Sequence, residues 1–207
     1  MWGFPDSAGI RRRGVEPAAW VLTAAILAAL LLTAACEKAP EADLPRYEKI
    51  GGDFTLAGHE GQPVRLSDFK GKAVLIFFGF TNCPDICPTT MLTLKRVHSQ
   101  LGEHAGQLQV LFITLDPERD GPKKMGEYVA HFDKSFMGLT GTLEQIREVA
   151  KKFSVFFKKN DTGSAAGYLV SHTDVIYLID KQGTTRALYQ AKDPVEKFVK
   201  DVKSLLN

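Results

Sequence analysis

Apolar and polar positions change rhythm along this chain in a way that separates a leader from a folded unit. Residues 18–35 are apolar except at Thr23 and Thr33, and no charge falls between Glu16 and Glu37. Further on, short elements follow one another. Phe54-Thr55-Leu56 and Val64-Arg65-Leu66 alternate apolar with polar residues around a turn region at 58–61, which predicts a hairpin. Residues 67–72 read as a turn, and residues 73–78 are apolar without interruption, the pattern of a central strand covered on both faces. Met91, Leu92, Leu94, Val97 and Leu101 recur at helical spacing and predict a helix over 88–101, with Pro88 suited to its first turn. The unit repeats as a strand over 108–115 and a helix over 122–132. A helix from about 143 to 152 and a short strand over 155–157 come next. Small and polar residues predict a loop over 160–167. Strands over 175–179 and 185–189 flank Asp180-Lys181-Gln182-Gly183 as a second hairpin. Val195, Phe198, Val199, Val202 and Leu205 line one face of a last helix over 194–206. The order predicts a mixed α/β sheet flanked by helices, with an N-terminal hairpin, early crossover units and no internal repeat.

Arg11, Arg12 and Arg13 stand before the apolar run, and a basic stretch followed by an apolar one is the layout of an export signal. At 18 residues the run also reaches the length that spans a bilayer. It closes on Leu32-Thr33-Ala34-Ala35-Cys36, which resembles a bacterial lipobox, where the signal is cut before a cysteine that becomes lipidated. Thr33 stands where that pattern usually has Leu. The other reading is an uncleaved anchor in which Cys36 is incidental. Under either, the arginines mark the cytoplasmic side and the rest of the chain lies beyond the inner membrane. The expected location is the bacterial cell envelope, tethered to the membrane with the domain on the periplasmic or extracytoplasmic side. Residues 36–46 are polar, contain Pro40 and Pro45, and show no periodicity, as in a tether. The expected division is a signal peptide or anchor over 1–35, a tether over 36–46 and one folded domain over 47–207.

Composition narrows the function. A hydrophobic fraction of 44% with 24% charged residues is that of a globular protein and excludes disordered and fibrous classes. Lys and Arg number 26 against 24 Asp and Glu, so a net charge of +2 gives no electrostatic draw towards nucleic acid. Three cysteines cannot build a disulfide framework, and each needs its own explanation.

Cys83-Pro84-Asp85-Ile86-Cys87-Pro88 lies just after the apolar strand and at the start of a helix. Ligands gather outside the carboxyl ends of strands in open α/β sheets, and a helix N-terminus favours thiolate over thiol. Sulfurs four residues apart there can converge on one point, which suits a disulfide or a shared soft metal ion. An inert disulfide across so small a loop would remove little unfolded-state entropy, which favours a chemically active pair.

Phe78-Gly79-Phe80-Thr81-Asn82-Cys83-Pro84-Asp85-Ile86-Cys87-Pro88, Thr114-Leu115-Asp116-Pro117-Glu118-Arg119-Asp120, Gly138-Leu139-Thr140-Gly141 and Val170-Ser171-His172-Thr173 resemble, in that order, the Sco/SenC family of copper proteins. The likeness runs from about Phe54 to the C-terminus and implies a thioredoxin-like fold. It also implies copper, as Cu(I), Cu(II) or both, bound by Cys83, Cys87 and His172. On its own, His172 has a weaker case, because a lone His is more often structural or solvated than ligating. It stands among Ser171 and Thr173 rather than on an apolar face. His59, His98, His104 and His131 have no partner at ligand spacing with the cysteines. Asp116 and Arg119 end the second crossover strand. An Asp there can orient a ligand from behind or tune its charge, while Arg119 pairs with it or with Asp120. The plainer alternative is that Asp120 caps the helix near Pro122 and Arg119 makes an ordinary ion pair.

The resemblance implies a membrane-tethered copper chaperone that delivers to the binuclear copper site of cytochrome c oxidase. Its partners would be the copper-bearing subunit of the oxidase, other copper chaperones, and the membrane through an N-terminal anchor or lipid. The alternative from another class is a thiol-disulfide oxidoreductase that reduces the target's cysteines through Cys83 and Cys87. A copper-responsive sensor that binds without delivering is a third reading. A peroxiredoxin-type peroxidase fits poorly, since its Pro-x-x-x-Thr-x-x-Cys signature has Phe80 at the Thr position for Cys83 and Pro84 for Cys87. Partner docking is expected around the cysteine loop, with Phe80 and Ile86 exposed.

Overall fold

The computed structural model of the protein describes residues 44–164 and 167–206. The expected leader over 1–35, Cys36 and most of the expected tether lie outside the described residues. The fold is built from β1 (Thr55–Gly58), β2 (Pro63–Arg65), β3 (Ala73–Gly79), α1 (Ile86–Gln100), β4 (Leu108–Thr114), α2 (Pro122–Ala130), β5 (Met137–Thr140), α3 (Leu143–Lys152), β6 (Phe157–Ser164), β7 (Gly167–His172), β8 (Ile176–Ile179), β9 (Thr185–Tyr189) and α4 (Val195–Leu206). Seven strands form one mixed sheet in the order β2-β1-β5-β4-β3-β8-β9, and β6 and β7 pair separately as an antiparallel hairpin.

The uninterrupted apolar run becomes β3, buried at all seven positions and paired with β4 in parallel and β8 antiparallel. The connections β3–α1–β4 and β4–α2–β5 step the same way across the sheet. Right-handed crossovers then put α1 and α2 on one face. Successive residues of β3 serve opposite faces. Phe77 stacks on Phe112 with ring centroids 6.0 Å apart, and Phe112 on Tyr128 of α2 at 5.1 Å. Phe78 instead meets Phe153, just after α3, at 5.5 Å, and Tyr177 at 5.9 Å. Cys87, Thr90, Met91, Leu94 and Val97 form the buried stripe of α1.

Both expected hairpins form, with Leu56 opposite Val64 and Tyr177 opposite Leu188. The structure corrects four points. Of residues 160–167, expected as a loop, the described ones belong to the β6–β7 hairpin, and of the short strand expected over 155–157 only Phe157 is in a strand, as the first residue of β6. β5 was not expected; four residues pair in parallel with β4 and antiparallel with β1. Finally, α1 begins at Ile86, two residues before the expected start, so Cys87 lies inside its first turn. Pro88 remains where the helix has no use for an N–H.

Candidate metal centre

The loop carrying Cys83 leaves the carboxyl end of β3 and turns into α1. Asp120, fully buried, holds it in place. Its carboxylate accepts from the Thr81 N–H at 2.9 Å, the Thr81 hydroxyl at 2.5 Å, the Thr114 hydroxyl at 2.9 Å and Lys124 Nζ at 3.1 Å. Lys124 also donates to Asn82 Oδ1 at 2.6 Å. The capping alternative for Asp120 is thereby corrected: Gly121 is the N-cap of α2, and Asp120 reaches back to the cysteine loop instead.

Cys83 is half-buried and Cys87 fully buried, and both are free thiols. The Cys87 S–H donates to Cys83, and the backbone N–H groups of Asp85, Cys87 and Ile86 add to it. Together they outweigh burial and bring Cys83 down to about 5. Cys87 is pushed above the ordinary thiol range, because ionising it breaks that hydrogen bond inside the core. Gly79 is what lets its sulfur sit there. A Cβ at position 79 would come within 2.8 Å of both Cys87 Sγ and Phe112.

His172 ends β7, opposite Phe157 in the register. Its Nδ1 lies 3.0 Å from the Thr173 carbonyl, and a carbonyl only accepts, so Nδ1 carries the proton there. In the neutral ring Nε2 then carries the lone pair, and it stands 3.9 Å from Cys87 Sγ. Phe77 and Phe80 pack against the ring at 6.2 and 6.1 Å. Phe80, expected to be exposed, is only 2% exposed because it packs under His172, while Ile86 is half-buried.

Asp116 and Arg119 reach the other half of the site. Buried Asp116 pairs with Arg119 and accepts from the Tyr168 hydroxyl at 2.6 Å. Arg119 donates to the Tyr168 carbonyl at 3.0 Å, and its guanidinium lies 3.7 Å above the Tyr168 ring. Lys159 and Glu118 add an ion pair at 2.6 Å. The segment after β4 therefore grips the hairpin whose base carries His172. Sequence reasoning missed Tyr168, which nothing local singles out. It also missed Asp174, whose Oδ1 is buried without a hydrogen-bond partner and whose pKa is raised by burial.

Cys83, Cys87 and His172 thus meet through Cys87. No group of three or more His, Cys, Asp or Glu among the described residues stands at metal-ligand spacing. The three donors are neighbours that must draw together around an ion. Their chemistry fits a soft or borderline cation, and the orphaned Asp174 oxygen beside them would be compensated by one. The other histidines stay apart. His59 accepts from the Gly138 N–H, His98 pairs with Asp133, His104 lies beside Glu103, and His131 contacts the Glu127 carbonyl.

Residues 42–207 match the SCO1/SenC family model. An SCO2-like protein of Rickettsia felis is 42% identical over 136 residues, which cover 65% of this chain and 66% of that protein. The structure of Bradyrhizobium japonicum ScoI with copper bound is similar with a TM-score of 0.71 and 38% identity, covering 76% of this chain and 99% of that one. A structure of BsSco, described as a Sco family member of cytochrome c oxidase assembly with a disulfide switch, is similar with a TM-score of 0.65 and 28% identity. That match covers 80% of this chain and 96% of that one. The mixed sheet flanked by helices is the thioredoxin-like arrangement that the motif order implied.

Proposed function

The chain belongs to the SCO1/SenC family, and from that premise we propose that it is a membrane-tethered copper chaperone. It takes copper between Cys83, Cys87 and His172 and delivers it to the binuclear copper site of cytochrome c oxidase. The observation that carries this reading is the contact of Cys87 with Cys83 on one side and, at 3.9 Å, with His172 Nε2 on the other. The copper held by the Bradyrhizobium japonicum relative and the oxidase-assembly role of BsSco support it. Copper is cargo here, so release matters as much as binding. Two thiolates and an imidazole suit Cu(I) and also accept Cu(II), and three donors leave a position open for an incoming ligand. Thiolates of the oxidase's copper-bearing subunit displace the donors one at a time. Of the two thiolates, half-buried Cys83 exchanges before Cys87, which is enclosed by the core. Asp116 and Arg119 contribute from behind, by holding the hairpin of His172. In this reading the leader over 1–35 carries the domain to the cell envelope, where Cys36 is the lipidation site, and other copper chaperones supply the metal.

The test is anaerobic copper titration of the reduced domain, residues 40–207, beside its His172→Ala variant. One tight copper per chain, with Cu(II)–thiolate bands altered in the variant, is the expected result. Binding unchanged without His172 would sink the assignment. The asymmetry of the thiols favours a second reading, a thiol-disulfide oxidoreductase. Cys83, ionised at neutral pH, is an attacking nucleophile, and buried Cys87 is positioned to resolve the mixed disulfide. That activity would survive in His172→Ala.

A further inference from the structure

Phe156 is 86% exposed, far more than Leu92 at 49% or Leu169 at 38%. Its backbone is held from both sides. Ser154 takes a left-handed φ of 56° after α3, with the Val155 N–H on the Ala150 carbonyl at 2.8 Å and the Ser154 N–H on the Lys151 carbonyl at 3.1 Å. On the other side, the Phe156 N–H donates to the Thr173 hydroxyl at 3.0 Å, and the Thr173 N–H donates to the Phe156 carbonyl at 2.9 Å. An anchored backbone thus presents a large apolar ring to solvent.

The ring borders a groove between α3 and β6 that is rimmed by Arg147, Lys151, Lys158 and Lys159 and contains no carboxylate. Lys159 is engaged by Glu118. Arg147, Lys151 and Lys158 have no ion-pair partner among the described residues, and all three are exposed. Lys151 also borders a second depression with Lys49, Lys152 and Glu148, where the Gly51 N–H donates to the Lys152 carbonyl at 2.8 Å. The chain first meets the fold at β9, where the Tyr47 N–H donates to the Thr185 carbonyl at 2.9 Å and Arg186 donates to the Leu44 and Pro45 carbonyls, and it reaches this depression by Gly51. With a net charge of only +2, the cluster is a local asymmetry and not a general basicity.

We propose that this face seats on an anionic phospholipid surface, with Phe156 inserted at the headgroup boundary and Arg147, Lys151 and Lys158 against the lipid phosphates. One projecting aromatic ring among unpaired cations is the composition of an interfacial anchor. Eight residues, 36–43, separate the apolar run over 18–35 from Leu44, where the described chain begins, which makes a bilayer the nearby partner. That supply of a bilayer rests on the membrane-tether reading; the face itself does not. Because Phe156 is bonded to Thr173, next to His172, seating the ring fixes the metal site against the bilayer.

Residues 41–207 form one compact unit with its own core and can be tested without the leader. The probe is co-sedimentation with phosphatidylcholine vesicles containing about one third phosphatidylglycerol, beside pure phosphatidylcholine, at low and raised salt. Binding to the anionic vesicles alone, weakened by salt, is expected. Phe156→Ser and the double variant Lys151→Glu/Lys158→Glu, each with unchanged thermal unfolding, should lower partitioning by about tenfold or more. Equal binding to neutral vesicles would overturn the proposal, as would folded variants that bind within about twofold of the parent. Binding of polyglutamate without binding of vesicles would make the face a docking surface for an acidic protein and equally overturn it. No copper enters this measurement, so failure of the chaperone reading leaves its outcome untouched.

Discussion

Removing the Asp120 carboxylate should unfasten the cysteine loop, and the structure sets the size of the effect. Asp120 is fully buried and accepts four hydrogen bonds, two of them from Thr81. A hydrogen bond to a charged group contributes about 1.5–3 kcal/mol, but bonds that share one acceptor do not add. Lys124 is 41% exposed, so its share is small. Asp120→Ala strands the Thr81 N–H and the Thr114 hydroxyl, and should cost about 3–5 kcal/mol. Thr81→Val removes the hydroxyl's short contact with Asp120 together with its exposed 3.2 Å contact with Asn82 Oδ1, and should cost about 1–2 kcal/mol. Urea unfolding of residues 41–207 measures both, and the double variant completes a cycle. In the Asp120→Ala background the Thr81→Val cost should fall below about 0.5 kcal/mol, because the acceptor has gone. Additive costs would show that Thr81 is held by something other than Asp120, and the account of how Cys83 is positioned would fail.

The thiol pair predicts a pH profile. Cys83 lies at about 5 against an ordinary 9.0, so its thiolate fraction, and with it the iodoacetamide rate, should stay flat from pH 8 to about 6 and fall near 5. Cys87 should stay unmodified in the folded protein, and an alkylation rate that climbs towards pH 9 would refute the assignment. Gly79→Ala forces a Cβ against Cys87 Sγ and Phe112, and should cost about 1–3 kcal/mol together with a measurable loss of copper affinity. Ser154→Gly relieves a left-handed residue and should stabilise the domain by about 0.5–1 kcal/mol in thermal unfolding, a gain that lowered stability would contradict. Tyr168→Phe keeps the ring under Arg119 but removes the hydroxyl from Asp116. Amide exchange over 157–172 should quicken, while β3 and β4 stay protected.

What could be read from the sequence was what burial writes into it. β3 announced itself because both of its faces are covered, and α3 fell where its periodicity placed it, with a capping box between Thr142 and Gln145. β6 and β7 left no such mark. Among the described residues they pair only with each other, and Lys158, Lys159, Asn160 and Asp161 carry no apolar alternation. β5 is four residues long, and its identity comes from the strands on either side. Long-range contacts were equally silent. Asp120 and Thr81 lie 39 residues apart and Cys87 and His172 lie 85 apart, so only the family resemblance brought His172 to the cysteines. Phe80 shows the cost of judging exposure locally: it was expected at the surface beside the loop, and the distant histidine covers it.

The two halves of the site share one brace. Within six residues after β4, Asp120 holds the loop of Cys83 and Cys87, while Asp116 and Arg119 hold the hairpin of His172. The halves are not equally firm. The loop runs straight out of β3 in the centre of the sheet, and Cys87 is fixed inside α1. Among the described residues the hairpin makes no strand pairing with that sheet, so its position depends on the grip on Tyr168 and on the packing of His172 against Phe77 and Phe80. Strand pairing is cooperative, whereas a few side-chain contacts can loosen one at a time, which places the adjustable donor on the hairpin. On the proposed reading, the thiols would define where an ion sits and His172 would complete or open the site. A copper carrier of the proposed kind would need that division, because a metal held by three equally rigid donors would have no first ligand to give up.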